Sequence, residues 1–155
     1  MQIQSQTVFR SQLVLDSGPE LSPEWVPSNF RILIVNEDMR CADTLKHTLH
    51  DLGYFTTFTA YSARRALVAA VEFSPAVALL DLELPDMTGY QLAGRFRSHL
   101  TKSVRLVPLL AVAELSLHGD AELTRAAGFV GCLAKPVPSV ALNALLSKLQ
   151  AGAWS

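Results

Sequence analysis

The chain contains 155 residues, of which 50% are hydrophobic and 17% are charged, a balance that suits one globular domain with a sizeable buried core. Its formal net charge of −1, without blocks of like charge, argues against direct nucleic-acid binding and against a basic membrane-binding patch. The N-terminus lacks the basic start and apolar stretch of a signal peptide, and no apolar run reaches the roughly 20 residues of a membrane span, so we expect a cytoplasmic protein.

The first 30 residues differ in composition from the rest. Residues 17–29 contain three prolines and several turn formers, which exclude a regular helix or strand there. Residues 7–16 are apolar enough for a short strand or a docking segment, and a mobile terminus is the alternative of equal weight. We therefore assign residues 1–30 to an N-terminal arm or linker.

From residue 31 onward, short apolar runs alternate with segments of helical periodicity. Strands are predicted at residues 31–35, 54–59, 76–80, 105–112 and 129–134, and helices at residues 39–52, 62–73, 89–100, 120–127 and 138–150. Asp38 precedes the first of these helices, whereas Ser62 and Asp120 begin the second and the fourth, and all three are predicted N-caps. This alternation predicts right-handed crossovers around a mostly parallel sheet.

Three of the predicted strands run into polar or charged residues. Glu37 follows the first strand, Asp81 the third and Lys135 the fifth. The carboxyl ends of parallel strands meet at one edge of a sheet, where α/β proteins place their chemistry, so we expect these three side chains at one rim.

Other residues that can carry chemistry do not form a recognisable site. Cys41 and Cys132 lack the spacing of a metal site and are expected to be reduced and structural. His47 and His50 lie three apart on the first helix without a third ligand, and a solvated helix face is the expectation for them.

From about residue 31 to residue 150, the chain resembles the receiver domain of two-component response regulators. The resemblance rests on the acidic cluster after the first strand, on Asp81 within residues 80–89, on the turn ending at Gly128, and on Lys135 followed by proline. It implies a flavodoxin-like α/β fold, a doubly wound five-stranded parallel sheet of order 2-1-3-4-5 with five helices on two faces. Residues 151–155 are then a C-terminal tail.

The resemblance also implies the chemistry of the rim. Asp81 matches the phosphoacceptor, and Lys135 matches the lysine that pairs with the phosphoryl oxygens. The matching Mg²⁺ ligands are Glu37, Asp81 and the backbone carbonyl of Glu83, while Asn36 stands in the outer shell where the family usually has another acid. Oxygen ligands of this kind suit Mg²⁺, which offsets the charge of a carboxylate nucleophile facing an anionic donor.

Three positions depart from the pattern of the family. Asn36 removes one carboxylate and Glu37 is longer than the usual aspartate, so we expect Mg²⁺ affinity to fall by about 1–3 kcal/mol. Ala113 stands where a Ser or Thr hydroxyl is usual after the fourth strand, and Cys132 stands where a mobile Tyr or Phe is frequent. Both positions belong to the switch that normally reports phosphorylation.

Two hypotheses follow, with a third that is weaker. The first is a stand-alone receiver that catalyses at most its own phosphorylation on Asp81, receives the group from a histidine kinase or phosphotransfer protein, and signals to a separate output protein. The second is a pseudo-receiver, an interaction module with weak or no phosphorylation. The third, a small-molecule binder, lacks a phosphate-binding loop after the first strand. A homodimer through the fourth and fifth helices is a further expectation from the resemblance, with Leu115 and Leu117 as added apolar area.

Overall fold

The computed structural model describes residues 30–114 and 121–152. Within this part of the chain, five parallel strands form one sheet in the order β2-β1-β3-β4-β5, which confirms the predicted topology. The strands are β1 Ile32–Val35, β2 Thr57–Ala60, β3 Val77–Asp81, β4 Leu109–Ala113 and β5 Phe129–Ala134. The helices are α1 Met39–Asp51, α2 Ala63–Phe73, α3 Gly89–Arg97, α4 Lys102–Arg105, α5 Ala121–Ala126 and α6 Ser139–Ala151.

Helices cover the two faces of the sheet. Leu33, Leu80 and Ala111 point to the face covered by α2, α3 and the short α4, whereas Leu79 and Leu110 point to the face covered by α1 and α6. Successive strand residues alternate between the two clusters, as the pleat requires. Residues of β1, β3 and β4 are buried throughout, which explains why these strands read as continuous apolar runs.

Several helix ends are set by the capping residues that the sequence indicated. The Asp38 carboxylate accepts the amide N–H groups of Arg40 and Cys41 at the start of α1, and Ser62 Oγ accepts the Arg65 N–H at the start of α2. Gly53, with a φ of 97°, follows α1 in the left-handed region that favours glycine. The predicted cap Asp120 lies outside the described residues.

Other boundaries differ from the prediction. The helix expected over residues 89–100 ends at Arg97. Leu100, which continues the helical spacing of the buried Leu92 and Phe96, therefore lies beyond the helix and is 95% exposed. The added helix α4 takes residues 102–105, and β4 therefore begins at Leu109 rather than at residue 105. The apolar spacing in the sequence extends to Leu100, but the chain leaves the helix after Arg97 and Leu100 does not reach the core.

The strand expected over residues 54–59 begins only at Thr57. Tyr54 belongs instead to the cluster beneath α1, and its ring lies 5.7 Å from that of Phe30. No helix in residues 30–114 or 121–152 is long and apolar enough to cross a membrane.

Candidate functional site at the carboxyl edge of the sheet

Asp81 and Lys135 form an ion pair at the carboxyl edge of the sheet. Asp81 is the last residue of β3 and is only 4% exposed, and Lys135 follows the last residue of β5. Lys135 Nζ lies 2.6 Å from Asp81 Oδ2, although 54 residues separate them in the chain. The Lys135 amide donates to the Ala113 carbonyl at 2.9 Å, so β4 fixes the lysine backbone beside the aspartate.

The pair changes the protonation equilibrium of the lysine. Partial burial lowers the pKa of Lys135, but the hydrogen bond and negative charge of Asp81 outweigh it, so the pKa lies above its usual value. Lys135 is therefore a cation at neutral pH and offsets the charge of a nearly buried carboxylate.

The other oxygen of Asp81 contacts the following loop. The Glu83 amide N–H donates to Asp81 Oδ1 at 2.9 Å, while the Glu83 side chain is exposed. Thus the backbone of Glu83, and not its carboxylate, is the part of this residue that the fold holds against Asp81.

The polar residues after β1 play different parts. Asn36 is 3% exposed, and its Oδ1 accepts the Asp38 amide N–H at 2.8 Å, which fixes the turn into α1. Asp38 in turn caps α1, and the hydrogen bond from the Arg40 N–H is the main cause that lowers the pKa of its carboxyl group. Glu37 lies at the bend between them and is exposed. Of the three residues expected at one rim, Asp81 and Lys135 are in direct contact, and Glu37 follows the neighbouring strand at the same edge.

The oxygen atoms at this edge are of the chemical type that Mg²⁺ prefers as ligands. The carboxylates of Asp81 and Glu37 and the Glu83 carbonyl are hard ligands, and Mg²⁺ binds through one or two carboxylates while it keeps several waters. Within residues 30–114 and 121–152, no group of three or more His, Cys, Asp and Glu side chains is arranged to hold a metal ion.

The two positions that the resemblance assigns to a switch lie on β4 and β5. Ala113 ends β4 and is buried, and Cys132 in β5 is half-buried, with burial raising the pKa of its thiol. Both pack against the cluster beneath α2 and α3. A methyl group and a small thiol occupy the positions that the resemblance assigns to a hydroxyl and a ring.

The expectations for the cysteines and histidines are confirmed only in part. Both cysteines are free, but Cys41 is exposed, so the expected structural role fits only Cys132. His47 is exposed as expected, whereas His50 is half-buried with its ring 5.5 Å from that of Phe55.

Two features of this region were not indicated by the sequence. A cavity of about 280 Å³ opens beside Lys135, between α1 and the segment after β5, and is lined mostly by apolar groups such as Leu45, Val112 and Val137. Asp86, a loop residue without a recognisable motif role, hydrogen-bonds to the start of α2. Both arise from contacts between segments far apart in the chain, which local patterns do not reveal.

Comparison with known proteins agrees with this geometry. Residues 32–147 match the response regulator receiver domain family. The structure resembles that of the chemotaxis response regulator CheY4 of Vibrio cholerae, with a TM-score of 0.67, 26% identity, and coverage of 77% of this chain and 97% of CheY4. The chain therefore belongs to the response regulator receiver domain family, and its fold is CheY-like.

Curated relatives include proteins of different sizes. An uncharacterized 14.6 kDa protein of Leptolyngbya boryana is 32% identical over 76% of this chain and 87% of its own length. The polar-differentiation response regulator DivK of Brucella ovis is 26% identical over 68% of this chain and 84% of its own. The transcriptional regulatory protein KdpE of Mycobacterium tuberculosis is 30% identical over 77% of this chain, but the match spans only 54% of KdpE.

Proposed function

We propose that residues 31–150 form a signalling domain that accepts a phosphoryl group on Asp81, with residues 1–30 as an arm and 151–155 as a tail. The observation that carries this proposal is the ion pair of Asp81 and Lys135, with 2.6 Å between Nζ and Oδ2 at the carboxyl edge of the sheet. A purely structural ion pair does not require this edge, but a nucleophile that must meet a donor does.

In the proposed reaction, a carboxylate oxygen of Asp81 attacks the phosphorus of a phosphohistidine or an acyl phosphate. The new O–P bond forms as the bond from phosphorus to the leaving imidazole or carboxylate breaks, and the product is an aspartyl phosphate. Lys135 then transfers its hydrogen bond from the Asp81 carboxylate to a phosphoryl oxygen. The Glu83 N–H orients the carboxylate during the approach of the donor.

Receiver domains are typically Mg²⁺-dependent, and Asp81, Glu37 and the Glu83 carbonyl would hold the ion here, with Asn36 in the outer shell. When bound, Mg²⁺ supplies positive charge that offsets the anionic donor and nucleophile. Since Asn36 is an amide whose oxygen already accepts the Asp38 N–H, we expect weaker Mg²⁺ binding than two acids after β1 would give.

Receiver domains partner with histidine kinases, and we propose a histidine kinase or phosphotransfer protein as the phosphodonor of this chain in the cytoplasm. DivK, matched over 84% of its length, is a relative whose name describes a response regulator little longer than the matched region. We propose that the signal passes by contact to a separate output protein. The helices predicted as fourth and fifth, now α5 and α6, are the proposed surface for that partner or for a homodimer; Val140 on α6 is 81% exposed. Leu115 and Leu117 lie outside the described residues.

A second function, that of a pseudo-receiver interaction module, is favoured by the switch positions. The Ala113 methyl group cannot hydrogen-bond a phosphoryl group, and Cys132 has no ring to change rotamer. Under this hypothesis the fold and the ion pair persist, while phosphorylation is slow or absent.

The deciding experiment is incubation with Mg²⁺ and acetyl phosphate, followed by intact-mass measurement. The first hypothesis predicts a gain of about 80 Da, the mass of one phosphoryl group, in the wild type and none in Asp81→Asn. Absence of this gain over a wide range of donor and metal concentrations would instead support the pseudo-receiver.

A further inference from the structure

The loop between β3 and α3, residues 82–88, is closed at its base. Glu83 and Thr88 form an isolated antiparallel bridge, and the Gly89 amide donates to the Leu82 carbonyl at 2.9 Å. A Cβ atom at Gly89 would lie 2.6 Å from the Asp81 carbonyl oxygen, so the two ends of the loop approach too closely for a side chain there. Glu83 and Thr88 therefore lie side by side at the base of a short loop, and Asp86 lies between them in the chain.

The tip of this loop is tethered to a different element by Asp86. Its Oδ1 accepts the Ala63 amide N–H and its Oδ2 accepts the Arg64 amide N–H, both at 2.9 Å. These are the first two residues of α2, whose amides have no partner inside the helix. A carboxylate is favoured at this position because the helix dipole is positive at its N-terminus.

The tether is distinct from the local cap of α2. Ser62 already supplies that cap, since its Oγ accepts the Arg65 N–H at 3.2 Å. Asp86 is 23 residues from Ala63 in the chain, so its hydrogen bonds join α2 to the loop that carries Glu83. The two residues thus bond to the same helix end, but only one of them links it to the loop.

We infer that Asp86 is a positioning residue for Asp81: by fixing the loop tip to α2, it keeps the Glu83 N–H on Asp81 Oδ1. Asp86 itself touches neither Asp81 nor a reacting group. Its effect on phosphorylation rests on the proposed function, whereas its effect on the placement of Glu83 does not.

The placement is tested by amide hydrogen exchange in the wild type, Asp86→Ala and the matched control Ser62→Ala. Both variants remove a side-chain acceptor from the start of α2, but only Asp86→Ala releases the loop. We expect the Glu83 amide to exchange about tenfold faster in Asp86→Ala and at the wild-type rate in Ser62→Ala. Equal exchange of Glu83 in the two variants would overturn the inference.

The kinetic consequence is tested with acetyl phosphate and Mg²⁺. We expect phosphorylation to slow about tenfold in Asp86→Ala and to stay near the wild-type rate in Ser62→Ala, because small displacements near a nucleophile are costly. Asp86→Asn keeps one acceptor oxygen, so its phosphorylation rate should lie between those of the wild type and Asp86→Ala. If Asp86→Ala does not fold, Asp86→Asn replaces it in both the exchange and the phosphorylation measurements. Equal rates in all variants would contradict the kinetic role. If the wild type takes no phosphoryl group, the proposed function fails, and the exchange of Glu83 still decides the role of Asp86.

Discussion

The rim at Asp81 and the neighbouring surface of β4 and β5 are built very differently. At the rim, both oxygens of one nearly buried carboxylate have fixed partners, a lysine and a backbone amide. The neighbouring surface consists of Ala113 at the end of β4 and Cys132 in β5. Ala113 has no hydroxyl that could donate a hydrogen bond, and Cys132 has no ring that could change its rotamer. If Asp81 accepts a phosphoryl group as proposed, the comparison teaches that a site can keep its acid and its lysine while the two positions expected to report phosphorylation carry only small side chains.

The strongest way to break the rim is to remove its cation. Lys135→Ala should slow phosphorylation by acetyl phosphate about 10²–10³-fold, because the side chain offsets charge on both the nucleophile and the transferred group. The rate is measured by intact mass against time. Lys148→Ala, which removes an exposed lysine from α6, is the control. A rate within twofold of wild type for Lys135→Ala would contradict the assigned role.

A second test of the rim replaces Asn36 with the acid that the family usually has at this position. Asn36→Asp should lower the Mg²⁺ concentration for half-maximal phosphorylation by about tenfold, since it adds a negative charge beside the proposed ligands. Aspartate retains an oxygen that can accept the Asp38 N–H, so the turn into α1 should persist. Asp43→Asn, a change of the same size on the exposed face of α1, should leave the Mg²⁺ dependence unchanged.

The neighbouring surface is tested by adding the groups that it lacks. In Ala113→Ser combined with Cys132→Tyr, phosphorylation should change the NMR shifts of β5 amides more than it does in the wild type. The serine supplies a hydroxyl for the phosphoryl group and the tyrosine supplies a ring. Stability should fall by about 1–3 kcal/mol, because both sites are packed. Equal shift changes in wild type and variant would mean that another route carries the signal.

The last expected effect concerns the stability of the fold at alkaline pH, not phosphorylation. Since the pKa of Lys135 is raised by folding, the stabilisation from its ion pair is complete below the ordinary lysine pKa of about 10.4 and is lost as the pH rises through the higher folded value. Lys135→Met should therefore cost about 2 kcal/mol at pH 7 and progressively less above about pH 10.4. Urea unfolding of both proteins at pH 7, 9 and 11 measures this difference. A constant cost across that range would show that the charge of the lysine does not contribute.

Much of the fold could be predicted because it depends on local patterns. The order of the elements followed from local signals, namely the apolar runs of β1, β3 and β5 and the helix caps at Asp38 and Ser62. Periodicity failed at Leu100, where the spacing continued but the helix had already ended and the side chain is 95% exposed. The limits of an element depend on where the chain must turn to reach the next one, which apolar spacing alone does not specify.

The candidate site was predictable in part for a similar reason. Asp81 and Lys135 could be expected to meet because each follows a parallel strand, and the structure brings them into contact. Two hydrogen bonds could not be anticipated: the Asp38 N–H donates to Asn36 Oδ1, and the Ala63 N–H at the start of α2 donates to Asp86 Oδ1. Short polar side chains have several partners within reach, and the choice among them depends on the final backbone path.

The amino-acid sequence by itself determined which residues stand at strand ends and what chemical groups they carry, because strand and helix periodicities follow from backbone geometry. Only the tertiary structure decided which of those groups touch, since hydrogen bonds and ion pairs act over a few ångströms and depend on how distant segments are brought together. For this protein, the amino-acid order set the acid and the lysine at the same edge, and packing of the sheet and its helices set the 2.6 Å between them.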